Sequence, residues 1–241
     1  MRKFSGIVLA GGNSSRYNGD KAFASYQGKP FYQHAIDLLV PIADHVYVVC
    51  RPDQTDAIAD HRVSIINDDE LYRGDGPLAG IYSAIAVTDA QWNLAVPVDT
   101  PFMDKTIVHA LVKQIDPAYD AIIPCVDGRV QPLVGFYKNN VQTVIKELLA
   151  EGRRSMHQLL TRIKVKYVSF QEKDSIYFAN INSADDFQHY MTNEGSERDE
   201  KNDTFSLDNC GYNKFNNRFD RDHCSYFANN AFTNSCRFLL W

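Results

Sequence analysis

Apolar residues in this chain come in short blocks separated by glycine, proline and polar turns, and the spacing within the blocks switches between two kinds. Phe4 to Ala10 is a short apolar run that stops at Gly11-Gly12, the pattern of a buried strand entering a loop. A polar loop comes next. Phe31 to Leu39 then shows helical spacing, and Val46 to Cys50 is a β-branched run ending in a polar turn with Pro52. The alternation repeats: Val63 to Ile66 reads as strand, Pro77 to Val87 as helix, Leu94 to Val98 as strand, Ile107 to Ile115 as helix and Ala121 to Pro124 as strand. Strands alternating with helical segments predict an α/β fold, a mostly parallel sheet with helices on both faces.

Beyond Asp127 the pattern is mixed. Pro132 to Lys138 and Val165 to Phe170 read as strands, while Val141 to Glu151 and Ser155 to Thr161 read as helices. Ser183 to Met191 reads as a helix capped by Ser183, with Asp186 three residues on, close to a capping box. A small lobe packed on the parallel sheet is the simplest arrangement, giving one domain over 1–192 with halves at 1–127 and 128–192. The segment 193–241 differs in kind. It is rich in Asn, Phe, Asp and Ser, keeps neither period, holds three of the five cysteines and is expected to be poorly ordered. Its Cys210, Cys224, Cys236 and His223 contain no C-x-x-C pair and match no common zinc spacing.

Length and composition narrow the function classes. With 241 residues and 44% hydrophobic side chains, the chain buries a core without disulfide staples. A net charge of −5 argues against coating nucleic acid, which needs clustered excess Lys and Arg. No apolar run approaches the ~18–20 residues of a membrane-spanning helix, and Ile7 to Ala10 is too short for a secretory core, so neither membrane insertion nor export is expected. Cys50 and Cys125 lie in strand-like stretches as buried thiols, which fits a reducing cytoplasm.

The chemistry concentrates in Leu9-Ala10-Gly11-Gly12-Asn13-Ser14-Ser15-Arg16-Tyr17-Asn18-Gly19-Asp20-Lys21. Parallel sheets bind ligands beyond the carboxyl ends of their strands, and this loop leaves the first strand at that end. Paired glycines let the backbone approach an anion and present its N–H groups, with Arg16 and Lys21 as counter-charge, so a triphosphate is the natural ligand. The spacing fits neither G-x-G-x-x-G nor G-x-x-x-x-G-K-[ST]. Taken alone, the glycine pair is equally compatible with a simple turn. Asp99 closes another strand at the same sheet edge, where a carboxylate either holds a hard cation such as Mg²⁺ or caps the next helix.

Six ordered stretches carry a family resemblance: the glycine loop with Asp20-Lys21-Ala22; Asp68-Asp69-Glu70 with Gly76-Pro77-Leu78-Ala79-Gly80; Val98-Asp99-Thr100-Pro101-Phe102; Gln131-Pro132-Leu133; Gly152-Arg153-Arg154; and Phe178-Ala179-Asn180-Ile181-Asn182-Ser183. Over residues 4–191 the chain resembles the molybdenum cofactor guanylyltransferases, within the wider nucleotidyltransferases. Asn18 stands where that family usually has glycine, a position at which Asn tolerates positive φ.

The resemblance implies a Rossmann-like three-layer fold, with a nucleotide-binding first half and an acceptor-binding second half. It implies that Leu9, Ala10, Gly11 and Gly12 line GTP, that Arg16 and Lys21 stabilise its phosphates, that Asp68 serves the nucleotide pocket with Asp69 as competitor, and that Asp99 binds nucleotide and Mg²⁺. Asn180 and Asn182 would complete the metal or phosphate site, Asn182 first, or else only end a strand; Gln131, Arg153 and Arg154 either hold the anionic pterin or are ordinary solvated surface. The implied reaction joins GTP to molybdopterin and releases pyrophosphate, with proteins of the molybdenum cofactor pathway as further partners. A CTP-dependent molybdopterin cytidylyltransferase, a sugar-phosphate nucleotidylyltransferase and a nucleotide-binding regulator without turnover are the competing functions. By analogy, Gly11-Gly12 favours guanine over cytosine.

Overall fold

A computed structural model of the chain describes residues 4–12, 20–183, 186 and 190. The central strand is β1 (Phe4–Leu9), buried along its length except at Leu9. On one side it pairs in parallel with β4 (His45–Cys50), and β4 with β5 (Ser64–Asn67); on the other it pairs in parallel with β6 (Trp92–Pro97). The chain therefore runs outward from β1 to β5 and then crosses back to β6. That reversal opens a crevice at the carboxyl ends of β1 and β6, where open α/β sheets receive their ligands.

The second half of the domain does not form a lobe beside this sheet; it completes it. The strand β7 (Ala121–Val126) turns through Asp127-Gly128 into β8 (Arg129–Val130), both turn residues having positive φ. The strand β9 (Gly135–Lys138) inserts antiparallel between β6 and β7, and β10 (Val165–Phe170) extends the sheet in parallel beyond β7. The eight-stranded sheet thus has the main path β10-β7-β9-β6-β1-β4-β5, mixed but mostly parallel. The strand expected from Pro132 begins only at Gly135, because Gln131 to Val134 forms a turn closed by Val134 N–H to Gln131 C=O at 3.2 Å.

Alternation along the strands feeds two cores. Phe4 and Val8 of β1 and Leu94 and Val96 of β6 face α1 (Phe31–Leu39) and α3 (Lys105–Lys113). Ile7 of β1 and Ala95 of β6 face α2 (Pro77–Val87), α4 (Val141–Ala150) and α5 (Met156–Arg162). Period-two alternation is what lets one buried strand supply both layers. Before α1, the polar loop contains a small hairpin of β2 (Ser25–Tyr26) and β3 (Lys29–Pro30), turning through Gln27-Gly28 with φ of 49° and 77°. Positive φ at both positions gives the strands the twist a two-residue hairpin needs.

Gly135 marks the closest backbone approach. A Cβ there would lie 2.6 Å from Ile123 Cδ1 and 2.8 Å from the Ile122 carbonyl oxygen. Gly135→Ala is expected to cost about 1–3 kcal/mol as strand β9 is pushed off β7. Thermal unfolding checks this, and an unchanged melting temperature would contradict so tight a fit.

At the end of the domain, Asp186 N–H donates to Ser183 Oγ at 3.1 Å, while the Asp186 carboxylate accepts from Asn182 N–H at 2.9 Å. One half of the expected box is thus present, and the carboxylate reaches one residue further back. The remainder of the helix expected over 183–191, and the segment 193–241, lie outside the described residues.

Candidate active site

The glycine loop leaves the sheet at its centre. Ala10 N–H donates to Val49 C=O at 2.8 Å, and Val98 N–H to Leu9 C=O at 3.1 Å, so Leu9 and Ala10 are held between the ends of β4 and β6. Neither Gly11 nor Gly12 has positive φ, so backbone conformation does not demand glycine at either position. Space among the described residues distinguishes them instead: a Cβ on Gly12 would meet none of their atoms within 4 Å, and the nearest atoms to one on Gly11 would be those of the Cys50–Arg51 backbone at 3.8 Å. Their N–H groups make no hydrogen bond within the described residues. Arg16 and Asn18 fall in 13–19, outside the described residues.

Asp20 re-enters as the cap of a single 3-10 turn, Lys21–Phe23, its carboxylate accepting Ala22 N–H at 3.1 Å. That turn carries the Lys21 ammonium inward, into a buried position 3.0 Å from Asp99 Oδ2 and 2.6 Å from Asn182 Oδ1. Asp99 lies just beyond β6 and is itself buried. Its backbone carbonyl accepts Ile181 N–H at 2.8 Å, which docks the Asn180–Asn182 segment against it. With its amide nitrogen facing Asp99, Asn180 donates to the two carboxylate oxygens at 2.6 and 2.7 Å. Lys21, Asp99, Asn180 and Asn182 thus meet at one point beside the glycine loop.

Burial pushes the Asp99 carboxyl above its ordinary range, and the Lys21 ammonium pulls it back only in part. A buried carboxylate that its partner does not fully compensate favours a further cation. The donor set fits a hard one: Asp99 offers a carboxylate, and Asn180 offers an amide oxygen when turned the other way. Among the described residues no group of three His, Cys, Asp or Glu side chains could hold a metal alone, so such a cation would rely on substrate oxygens and water.

The next pair of acids separates by geometry. Asp69 caps the Glu70–Tyr72 turn by accepting Leu71 N–H at 2.9 Å, and its own N–H donates to Ser83 Oγ at 2.8 Å. Asp68 Oδ1 instead lies 3.7 Å from where a Cβ on Gly80 would stand, over the first turns of α2 and beside Leu9. Burial raises the Asp68 carboxyl, opposed by the Gly74 N–H and Arg73. Helix α2 starts at Pro77 behind Gly76, whose φ of 76° and ψ of −162° only glycine adopts readily. Arg154 pairs with Asp75 in this same loop at 2.7 Å, and Arg153 pairs with Glu151 at 3.1 Å, both arginines remaining exposed.

A family model described as the MobA-like NTP transferase domain matches residues 6–166, two-thirds of the chain. This chain belongs to the MobA-like NTP transferase family. It is 37% identical over 195 residues to proteins named "probable molybdenum cofactor guanylyltransferase" from Bacillus cytotoxicus and from a Geobacillus strain, the alignments covering 80% of this chain and 98% and 100% of theirs. The transferase also shares its fold with the crystal structure of molybdopterin-guanine dinucleotide biosynthesis protein A from Archaeoglobus fulgidus: TM-score 0.67, 24% identity, covering 80% of this chain and 99% of that one. It is a nucleotidyltransferase with the Rossmann-like architecture expected of one.

Two groups beside the candidate site were passed over by the sequence pattern, Arg51 and Gln54 in the turn after β4, and Asp20 was read only as part of the loop motif. Gln54 is buried, donating to Asp20 Oδ2 at 2.6 Å and to Ala10 C=O at 3.3 Å. Arg51 donates to Gly12 C=O at 3.0 Å and to Asp20 Oδ2 at 2.7 Å. The signal that could have found them is position, since this turn leaves the carboxyl end of a strand adjacent to β1. A cavity of about 630 Å³ lined by Ser5, His45, Thr88 and Trp92 lies at the opposite, amino-terminal edge and includes none of the expected site residues.

Proposed function

We propose that this nucleotidyltransferase transfers GMP from GTP to molybdopterin, with Mg²⁺, forming a molybdopterin guanine dinucleotide and releasing pyrophosphate. The observation that carries the reading is the meeting of Lys21, Asp99 and Asn182 beside Gly11-Gly12, at the crevice between β1 and β6. The names of the relatives support guanine and the pterin as substrates.

The chemistry asks little of the protein in covalent terms. An oxygen of the acceptor's phosphate monoester bonds to the α-phosphorus of GTP, the bond from that phosphorus to the bridging oxygen breaks, and pyrophosphate leaves with the electron pair. A monoester is already anionic near neutral pH, so positioning and charge neutralisation supply the catalysis. Gly11 and Gly12 leave room for the triphosphate and offer N–H groups; Lys21, with Arg16, meets negative charge as it moves toward the leaving group. Asp99 and Asn180 would hold Mg²⁺, and Asn182 fixes the Lys21 ammonium. A cation bound there would neutralise triphosphate oxygens. Asp68, over Gly80, would accept from the base or ribose. Arg153, Arg154 and Gln131 are assigned to the pterin phosphate.

Incubating the full chain with molybdopterin, Mg²⁺ and each of GTP, CTP, UTP and ATP tests the reading. Dinucleotide and pyrophosphate are expected from GTP; preference for CTP would replace it with the cytidylyl reaction, and nucleotide binding without pyrophosphate release would point to a regulator.

A further inference from the structure

Resting on the nucleotide site just proposed, we propose that Arg51, Asp20 and Gln54 form a positioning cluster that sets Gly12 and Lys21 at the spacing the triphosphate requires. None of the three needs to touch the nucleotide.

Arg51 directs its donors to neighbouring groups of the same chain. Nη1 donates to Gly12 C=O at 3.0 Å; Nη2 donates to Asp20 Oδ2 at 2.7 Å and Asp53 Oδ2 at 3.1 Å; Nε donates to Asp53 Oδ1 at 3.1 Å. Its charge is matched by two carboxylates, so it is poorly suited to serve as a phosphate ligand in its own right. A rigid planar fork can span two acceptors, which an ammonium cannot do with the same geometry.

The other two members close the figure. Gln54 Oε1 accepts Arg51 N–H at 2.8 Å, which fixes the amide, and Gln54 Nε2 then reaches Asp20 and Ala10. Asp20 Oδ2 takes both donors while Oδ1 caps the turn carrying Lys21. One turn after β4 therefore ties the last described residue before segment 13–19 to the first one after it. From Asp20 a single residue leads to the ammonium at Asp99. Gly12 and Lys21 come from opposite flanks of the loop yet must act on one anion, and Arg51 bridges Gly12 to Asp20, the residue before Lys21. Misplacing a binding group by about 1 Å is enough to cost up to ~10²-fold in rate or affinity.

Calorimetric titration of the full chain with GTP in excess Mg²⁺ tests the cluster, beside the transfer assay above. Arg51→Gln, Arg51→Lys and Asp20→Asn are each expected to raise the Kd about tenfold with one site per chain retained, and the Arg51→Gln/Asp20→Asn pair to bind no worse than either single variant. Were Arg51 itself a phosphate ligand, Asp20→Asn would release its charge and tighten binding, and Arg51→Lys would restore much of it; either result overturns the proposal. So does an unchanged Kd, or an unchanged Kd with fewer sites per chain, the mark of a purely structural role. If the wild-type chain binds GTP but transfers nothing to molybdopterin, the proposed reaction fails while these Kd values still judge the cluster. If it binds no GTP, both fail.

Discussion

Asp99→Asn is expected to lower pyrophosphate release from GTP by about 10²–10³-fold at saturating Mg²⁺, about 3–4 kcal/mol of lost transition-state stabilisation. The substitution keeps the shape of the side chain and its place beside Lys21, Asn180 and Ile181, but removes the charge that a cation and the buried ammonium both need. Alanine is the poorer probe. It would remove the carboxylate that neutralises the buried Lys21 ammonium and leave a void beside it, so lost turnover would be confounded with lost stability. Turnover measured well below the melting temperature checks the Asn variant, and near-normal rates would remove Asp99 from its role.

Lys21→Met is expected to destabilise the chain by about 3–5 kcal/mol at pH 7, because it strands the Asp99 carboxylate in the interior. The pH dependence fixes the cause. Folding raises the Asp99 carboxyl, and Lys21 is what pulls it down, so the variant raises it further. A carboxyl raised by folding favours the folded state below its unfolded value of about 3.9, and that contribution is lost as pH climbs through the folded value. The penalty in Lys21→Met is therefore full at pH 7 and fades on acidification, as the carboxyl takes up a proton. Melting temperatures of wild type and variant, in the absence of metal, should converge as the pH is lowered from 7 toward the unfolded carboxylate value of about 3.9. A gap that is constant or widens would mean that the ion pair is not what the lysine contributes.

The central architecture was legible because buried parallel strands and amphipathic helices write different periods. The helix α1 runs over Phe31–Leu39 and α2 over Pro77–Val87, as the spacing of their apolar residues and Pro77 at the first turn predict. The position of β9 was not legible. Gly135 to Lys138 looks like any short buried strand, and nothing local says that it runs antiparallel between β6 and β7. The hairpin at Asp127-Gly128 was not expected either, although Asp-Gly is a turn pair suited to the positive φ found at both positions.

The site divides the same way. Lys21 and Asp99 could be picked out because each comes after a strand at the ligand-binding edge. The bond from Lys21 to Asn182 joins positions 161 apart, and only the family motif linked them beforehand. Arg51 and Gln54 sit in an aperiodic polar turn, where sequence spacing says nothing about which way a guanidinium points.

The most direct measurement is a crystal structure of the full chain with Mg²⁺ and a GTP analogue that cannot be cleaved at the α-phosphorus. The triphosphate should lie against Gly11 and Gly12 within reach of Lys21, with the cation on Asp99. Nucleotide bound elsewhere, for instance in the cavity at Ser5, His45 and Trp92, with the Lys21–Asp99 crevice empty, would contradict the account.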